Sequence, residues 1–404
     1  MPTKNTILVT IDTLRRDVLE CYGAGESRMP FLDSIQDHCI RFDTAKAAGP
    51  YTQASFPALL TSSYFLEYGK QKKLPPQKVL ISEVLKKNGI KTAGFHSNTY
   101  LSYYFGYNRG WDMFYDSMQD DVTDYYPFIR GNGINKKVGT WLDSYVKKTD
   151  YGPFFLWVHY MDVHEPYIPD EEFINRVDPS LSLTKEQMFS LFKEVVLPRD
   201  VTDPDTVRTL RSLYDAGVLE TDSYLKELFS IFDQLGVLDD STVIITSDHG
   251  DEFGEHGGLS HDGKMYGELI DVPLFIYDSD RQKNRSVQTL ADGADIPPTI
   301  CTLFGVENPA GFRGKSLYPL ESFDRSSVYG EAMDKSGHKE KESDQPVYYY
   351  LESGKKCVYR ERDKSVELYD LTSDPGEQNN LAGENPDTDR YRSQLLETMK
   401  KYKA

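Results

Sequence analysis

Residues 243–257 read VIITSDHGDEFGEHG. Val243, Ile244 and Ile245 form a short β-branched run of the kind found in buried strands. Asp248 and His249 follow directly, and Gly250 lets the chain turn away sharply. A carboxylate beside an imidazole at the C-terminal end of a buried strand points to metal ligands at the mouth of an α/β sheet. Thr6–Ile11 (TILVTI) repeats the pattern, with Asp12 at its end. An aspartate after a strand is also a common helix N-cap. The adjacent Asp248–His249 pair is harder to explain that way.

Strands and helices alternate on either side of this stretch. Helical spacing is read over Met29–Ile40, from near Thr52 through Ala58–Ser62, over Val79–Asn88 before Gly89, and over Val207–Leu235 before Gly236. Further strands are read at Lys91–Phe95, Pro153–His159 and Val272–Tyr277, and 99–150 and 168–206 are read as loops. The expected fold class is α/β: a large mixed, mostly parallel sheet flanked by helices on both faces. From about Val328 the texture changes to alternating, Tyr- and Val-rich segments, which predict antiparallel hairpins. A polar loop at Gly376–Asp389 and a helix near Asp387–Lys401 follow. The expected organisation is a catalytic α/β domain over 1–325 and a small C-terminal α+β subdomain over 326–404.

The chain has 404 residues, 39% hydrophobic and 27% charged, which suffices for a sizeable core. Its 64 acidic against 46 basic residues give a formal charge of −18, which argues against nucleic acid and anionic membranes as partners. An anionic substrate stays compatible, because a bound cation inverts the local field. Cys21, Cys39, Cys301 and Cys357 are widely spaced without a C-x-x-C, and read as free thiols. The apolar N-terminal run is interrupted by Asp12, too early for a signal segment or a membrane span. The expected location is cytoplasmic.

Asp12, Asp248 and His249 can converge on one divalent cation. Their mixed oxygen and nitrogen donors leave Ca, Mg, Mn and Zn all open. Residues 48–62, AGPYTQASFPALLTS, add a hydroxyl-rich turn before a helix. Thr52 or Ser55 there is a nucleophile at a helix N-terminus, where N–H groups favour an anion, or simply an N-cap with Pro57 in the first turn.

The chain resembles the sulfatase family of the alkaline phosphatase superfamily. The resemblance runs through ILVTIDTLRRD (7–17), the 52–62 block, FFLWVHYMDVHEPY (154–167), LYDAGVLETD (213–222), the opening stretch, MYGELIDVPLFIY (265–277), DIPPTICTLFG (295–305) and VELYDLTSDPGEQNNLA (366–382). It implies the alkaline phosphatase/sulfatase-like fold and a metal held by Asp12, Thr52, Asp248 and His249. The family's nucleophile motif, C/S-x-P-S-R, falls on Thr52, with Phe56 at the arginine position. Ser55 is the alternative, with poorer spacing to Leu60-Thr61. A threonine cannot yield the family's formylglycine. It is similar instead to the nucleophile of phosphodiesterases, nucleotide pyrophosphatases and phosphoglycerol transferases of the superfamily. Thr13 stands where the family carries a second aspartate.

The resemblance also points to His164, with His159 second, beside the leaving group, and to His261 and Lys264 either on the ester's anionic oxygens or protonating the leaving group. Lys264 is shifted from the family lysine, which favours a solvated position. Arg15 either orients Asp12 or binds the anion, or else pairs with Asp17 or Asp43, and Asn98 either donates to substrate or is a turn residue. Glu252 and His256 are read as lying outside the ligand set, and a two-metal site would draw on Asp162, His164 and His261. The expected activity is metal-dependent hydrolysis of a sulfate or phosphate/phosphonate ester through a Thr52 intermediate, with phosphoryl chemistry favoured. The substrate is a small-molecule or glycan anionic ester, and the oligomeric state stays open. The alternatives are phosphoryl transfer to an alcohol acceptor and non-catalytic binding of a sulfated or phosphorylated ligand.

Overall fold

A computed structural model describes residues 5–403, apart from 72, 117–119, 121, 149–150, 280–284, 336–340 and 342. The first four residues of the N-terminal segment thus lie outside the described residues. Eight strands build the main sheet: β1 (Asn5–Ile11), β2 (Cys39–Phe42), β3 (Lys91–His96), β4 (Met113–Asp116), β5 (Phe154–Tyr160), β6 (Ser241–Ser247), β7 (Leu274–Asp278) and β8 (Arg285–Val287). Their order is β8-β2-β7-β6-β1-β5-β3-β4, and β7 alone among them runs antiparallel to its neighbours. The β-branched run of the opening stretch is therefore β6, in parallel pairing beside the central β1. Buried on both faces, these strands carry apolar side chains through their middle, with Ile7 beside Val243, Leu8 beside Ile244 and Val9 beside Ile245.

Alternate residues of β1 serve two cores. Ile7, Val9 and Ile11 join one cluster, and Leu8 joins the other. The helices that build the layers are α1 (Thr52–Thr61), α2 (Ile81–Lys87), α3 (Gly131–Val146), α4 (Pro204–Gln234), α5 (Ile296–Phe304) and α6 (Thr388–Tyr402), with further short helices between them. Helices α3 and α4 cover the first face, through Ile134, Val138, Leu142, Leu213 and Leu225. Helices α1, α2 and α5 cover the second. A four-stranded antiparallel sheet follows: β9 (Ser327–Met333), β10 (Pro346–Glu352), β11 (Lys355–Arg360) and β12 (Val366–Asp370). Tyr391 and Leu395 of α6 pack on it with Tyr348, Cys357 and Leu368. Val328, Val347 and Tyr349 of this sheet share a core with Leu8 and Ile244 of the main sheet.

The structure departs from the sequence expectation in three places. Met29–Ile40 is not one helix: Pro30–Ser34 makes a short helix, and Cys39 and Ile40 enter β2. Antiparallel pairing of Cys39 with Tyr277 and Ile40 with Ile276 overrides the local spacing. The presumed loop 99–150 contains β4 and α3, whose apolar stripe is thinned by Gly, Asn and Lys on its open face. The presumed loop 168–206 contains helices at Glu171–Val177 and Lys185–Leu191. All four cysteines are free, with Cys39, Cys301 and Cys357 buried. Among the described residues, no helix is long and apolar enough to cross a membrane.

Candidate active site

Strand register builds the site. Ile11 pairs with Ser247, so the next residues, Asp12 and Asp248, emerge side by side at the C-terminal edge of the sheet. Thr13 follows with φ +56°, and its N–H donates to Asp248 Oδ1 at 3.3 Å. Gly250 is needed for a close approach and not for a left-handed turn: a Cβ there would collide with the Glu268 carbonyl oxygen.

Asp12, Asp248 and His249 are all buried, and one ligand atom from each lies within 4.8 Å of the others. His249 Nδ1 is 2.9 Å from the Gly250 carbonyl oxygen, which assigns the proton to Nδ1 and leaves the Nε2 lone pair facing inward. Nε2 lies 3.6 Å from Asp12 Oδ1 and 3.4 Å from Asp248 Oδ2. Neither of those carboxylate oxygens accepts a hydrogen bond. Three acceptors thus point into one small space, an arrangement that a cation relieves. The electrostatics agree. Burial would raise the Asp12 carboxyl, but the His159 hydrogen bond and the charges of His164 and His249 hold it well below the usual range. Burial, with the Asp12 charge beside it, pushes Asp248 well up. Burial pulls His249 down to about 4, so the imidazole is neutral and fit to ligate.

Thr52 is the first residue of α1, and Tyr51 is the N-cap. Its hydroxyl lies 3.5 Å from His249 Nε2 and accepts from Asn98 Nδ2 at 3.4 Å. The hydroxyl is not used in capping, and Pro57 falls beyond the first turn. Ser55 Oγ donates to the Thr52 carbonyl at 3.4 Å and borders a separate small cavity beside Ala48 and Leu59. Asn98 also donates to Asp12 Oδ2 at 2.8 Å, while its own Oδ1 accepts from Tyr100 N at 2.9 Å. The turn reading of Asn98 is thus met by Oδ1, while its amide is spent on Asp12 and Thr52.

A cleft of about 560 Å³ opens over Thr52, lined by Asn98, Tyr100, His164, Phe192, His261 and Lys335 among others. His164 Nδ1 lies 2.8 Å from the Glu165 carbonyl oxygen. Burial opposes its charge, but Asp12, Glu165 and Asp251 hold it above the usual imidazole range. The rings of His164 and His261 are 5.1 Å apart. His261 Nδ1 is 2.8 Å from Asp251 Oδ1, and Tyr167 donates its hydroxyl to Asp251 Oδ2 at 2.7 Å. Burial pushes His261 well down and Asp251 well up.

Other expected residues stand back from the cleft. His159 is fully buried under Asp12, edge-on to Phe56. Trp157 Nε1 donates to Thr10 Oγ1 at 3.0 Å, Thr10 Oγ1 lies 2.8 Å from His159 Nδ1, and His159 Nε2 lies 3.3 Å from Asp12 Oδ2. That chain assigns the proton to Nε2, so His159 donates to Asp12. Lys264 Nζ is paired with Glu252 at 2.7 Å and donates to the His256 carbonyl at 3.0 Å. Glu252 also accepts from the backbone of His256 and Gly258, and His256 Nδ1 lies 2.6 Å from Glu268. Arg15 pairs with Asp17 and Glu255 and bonds the Asp251 carbonyl. Asp162 accepts from Gly131 N and Arg130 at the start of α3, away from the cation pocket. Asp251 and Lys335 went unremarked in the sequence. Asp251 sits inside the opening stretch, but Lys335 carries no local signal.

The sulfatase family model matches residues 4–306, and the model of the N-sulphoglucosamine sulphohydrolase C-terminal region matches 254–404. The chain belongs to the sulfatase family. It is 26% identical over 277 residues to the multifunctional alkaline phosphatase superfamily protein PehA of Trinickia caryophylli, covering 60% of this chain and 54% of that one. It spans about half the length of the first curated relatives that it matches. A structure solved with D-glucosamine-2-N,6-O-disulfate as substrate superposes with TM-score 0.83 at 20% identity, over 99% of this chain and 98% of the other. The phosphonate monoester hydrolase of Agrobacterium radiobacter superposes with TM-score 0.78 at 18% identity, over 99% and 96%.

Proposed function

We infer that this chain is an ester hydrolase acting on sulfate or phosphate/phosphonate monoesters, with Thr52 as nucleophile. The observation that carries this reading is the convergence of two unpaired carboxylate oxygens and a neutral imidazole lone pair next to the Thr52 hydroxyl at a helix N-terminus. Asp12, Asp248, His249 and Thr52 would hold a divalent cation. When bound, such a cation supplies Lewis-acid polarisation of a substrate oxygen and favours ionisation of a nearby hydroxyl.

Thr52 Oγ1 forms the bond to phosphorus or sulfur as the bond to the leaving oxygen breaks, and the electron pair departs with that oxygen. The threonine proton passes to solvent through the cleft. His164, held toward its protonated form, delivers a proton to the leaving oxygen. Asn98 holds Thr52 Oγ1 and Asp12 in fixed relation. Water then cleaves the threonine ester and restores the hydroxyl.

Threonine in place of an oxidisable Cys or Ser favours phosphoryl chemistry. A cleft of about 560 Å³ falls in the range of small-molecule sites, roughly 300–1,000 Å³. Together with the sugar disulfate bound by a neighbour of the same fold, this supports a sugar-sized anionic ester. The test is a side-by-side assay of nitrophenyl sulfate, phosphate and phenylphosphonate, and bis-nitrophenyl phosphate, across Ca, Mg, Mn and Zn. Turnover of phosphate or phosphonate above sulfate is expected. No turnover of any ester with any metal would sink the reading.

A further inference from the structure

We propose that Lys335, carried into the cleft by the C-terminal sheet, binds the anionic oxygens of the ester; this rests on the hydrolase reading above. Among the described residues lining the cleft, Lys335 is the one lysine or arginine. It is 7% exposed. The basic residues expected from sequence are placed otherwise: Lys264 is committed to Glu252, and Arg15 to Asp17 and Glu255.

The placement of Lys335 relative to Thr52 is built in from two sides. On the first, β9 runs along the segment that leads into α1. Glu331 N donates to the Ala48 carbonyl at 2.9 Å, and Met333 N donates to Tyr51 Oη at 2.9 Å. Lys335 Nζ then sits 3.6 Å from the centroid of the Tyr51 ring, over the residue that precedes Thr52. A tyrosine face favours a cation there. On the second side, Gly263 N donates to the Lys335 carbonyl at 3.1 Å. A Cβ on Gly263 would come within 2.6 Å of Asp334 Cα and Lys335 N, so only glycine permits this contact. His261, two residues earlier, faces the same cleft. One backbone clamp therefore sets both His261 and Lys335 against Thr52. A buried ammonium at this point would meet charge on the transferring group, where it counts for more than in water.

The test uses the full chain loaded with metal and the variants Lys335→Met, Lys335→Arg and Gly263→Ala. Binding of inorganic phosphate and sulfate is followed by calorimetry, beside kcat and KM on the best nitrophenyl ester and metal content. Lys335→Met is expected to weaken anion binding and raise KM by about tenfold or more, the range for a hydrogen bond to a charged group, with metal content unchanged. Lys335→Arg is expected to recover most of the affinity, and Gly263→Ala to lose it in the same direction. Unchanged affinity in Lys335→Met overturns the proposal, and so does a loss that Lys335→Arg shares in full. Turnover that persists while Lys335→Met is silent leaves the hydrolase reading standing without this site. Anion binding that depends on Lys335, with no ester turned over, keeps the site and fails the hydrolase reading.

Discussion

Asp251 Oδ1 lies 2.8 Å from His261 Nδ1, and this contact decides which ring nitrogen is left for the cleft. With Nδ1 held, Nε2 is the nitrogen available to a bound ester. Burial favours the neutral form of both groups, so the hydrogen bond survives without an ion pair. If His261 meets the ester as expected, replacing Asp251 by Ala should lower kcat about 10- to 100-fold, the range seen for groups that orient metal-ligating histidines. Asp251→Asn, which keeps a polar partner for Nδ1, should retain markedly more. Steady-state kinetics with circular dichroism as a fold control decide the matter. Equal activity in both variants and the wild type would show that the contact is idle.

Thr52→Ala removes the proposed nucleophile without creating a large cavity. Turnover should fall on the order of 10³-fold or more, in line with the loss of a central catalytic group. Thr52→Ser should keep a measurable fraction, because the hydroxyl persists. Mass spectrometry of a quenched reaction should find the phosphoryl or sulfuryl adduct on the peptide holding Thr52, and an adduct on Ser55 alone would reassign the chemistry.

His159 lies beneath the proposed cation site. Its Nε2 lies 3.3 Å from Asp12 Oδ2 and orients that carboxylate so that Oδ1 faces the pocket. His159→Leu should weaken metal affinity about 10- to 100-fold. Competition with a chelator, followed by metal analysis, measures this directly, and activity at saturating metal should be largely restored.

Asp222 gives a pH signature outside the site. Its carboxylate oxygens accept from Phe31 N at 2.7 Å and Leu32 N at 3.1 Å, tying α4 to the short helix Pro30–Ser34. Burial pushes the carboxyl up to about 7 despite those two bonds. The folded pKa is thus above the unfolded value near 3.9. The associated stabilisation is complete below about pH 4 and is lost as pH rises through about 7. Asp222→Asn is neutral at all pH but keeps only one of the two acceptors, so it should be less stable than the wild type near pH 4.5. That deficit should shrink or reverse by up to a few kcal/mol near pH 8, where the wild type has lost the linked stabilisation. Thermal melts at the two pH values, each with the same metal, give the comparison.

Much of this architecture was legible in the sequence because it is written in local pattern. The runs at Thr6–Ile11 and Val243–Thr246 are buried on both sides and pair as central strands, and each ends in an aspartate of the proposed cation site. The convergence of Asp12, Asp248 and His249 near Thr52 was legible for that reason. Residues whose position is decided by distant pairing were not. Cys39 and Ile40 read as helical until β7 supplied a partner, and α3 hid behind glycines and lysines on its solvent face. Lys335 follows a strand of the second sheet and comes beside the Thr52 cleft through Tyr51 and Gly263, relationships with no trace in spacing. Asp251 lies in the opening stretch, but its contacts with His261 and Tyr167 come from distant segments that local pattern does not reveal.

The continuous apolar cluster beneath both sheets has a consequence for how the chain comes apart. Leu8 and Ile244 share that cluster with Val328, Val347 and Tyr349, so among the described residues one apolar core spans the two sheets. Truncation ahead of β9 would strip one wall from the core on the α1 face and expose a broad oily surface. The two regions should therefore melt in one cooperative transition, and the cleft residues from both sheets should appear together during folding, without a working half-enzyme along the way.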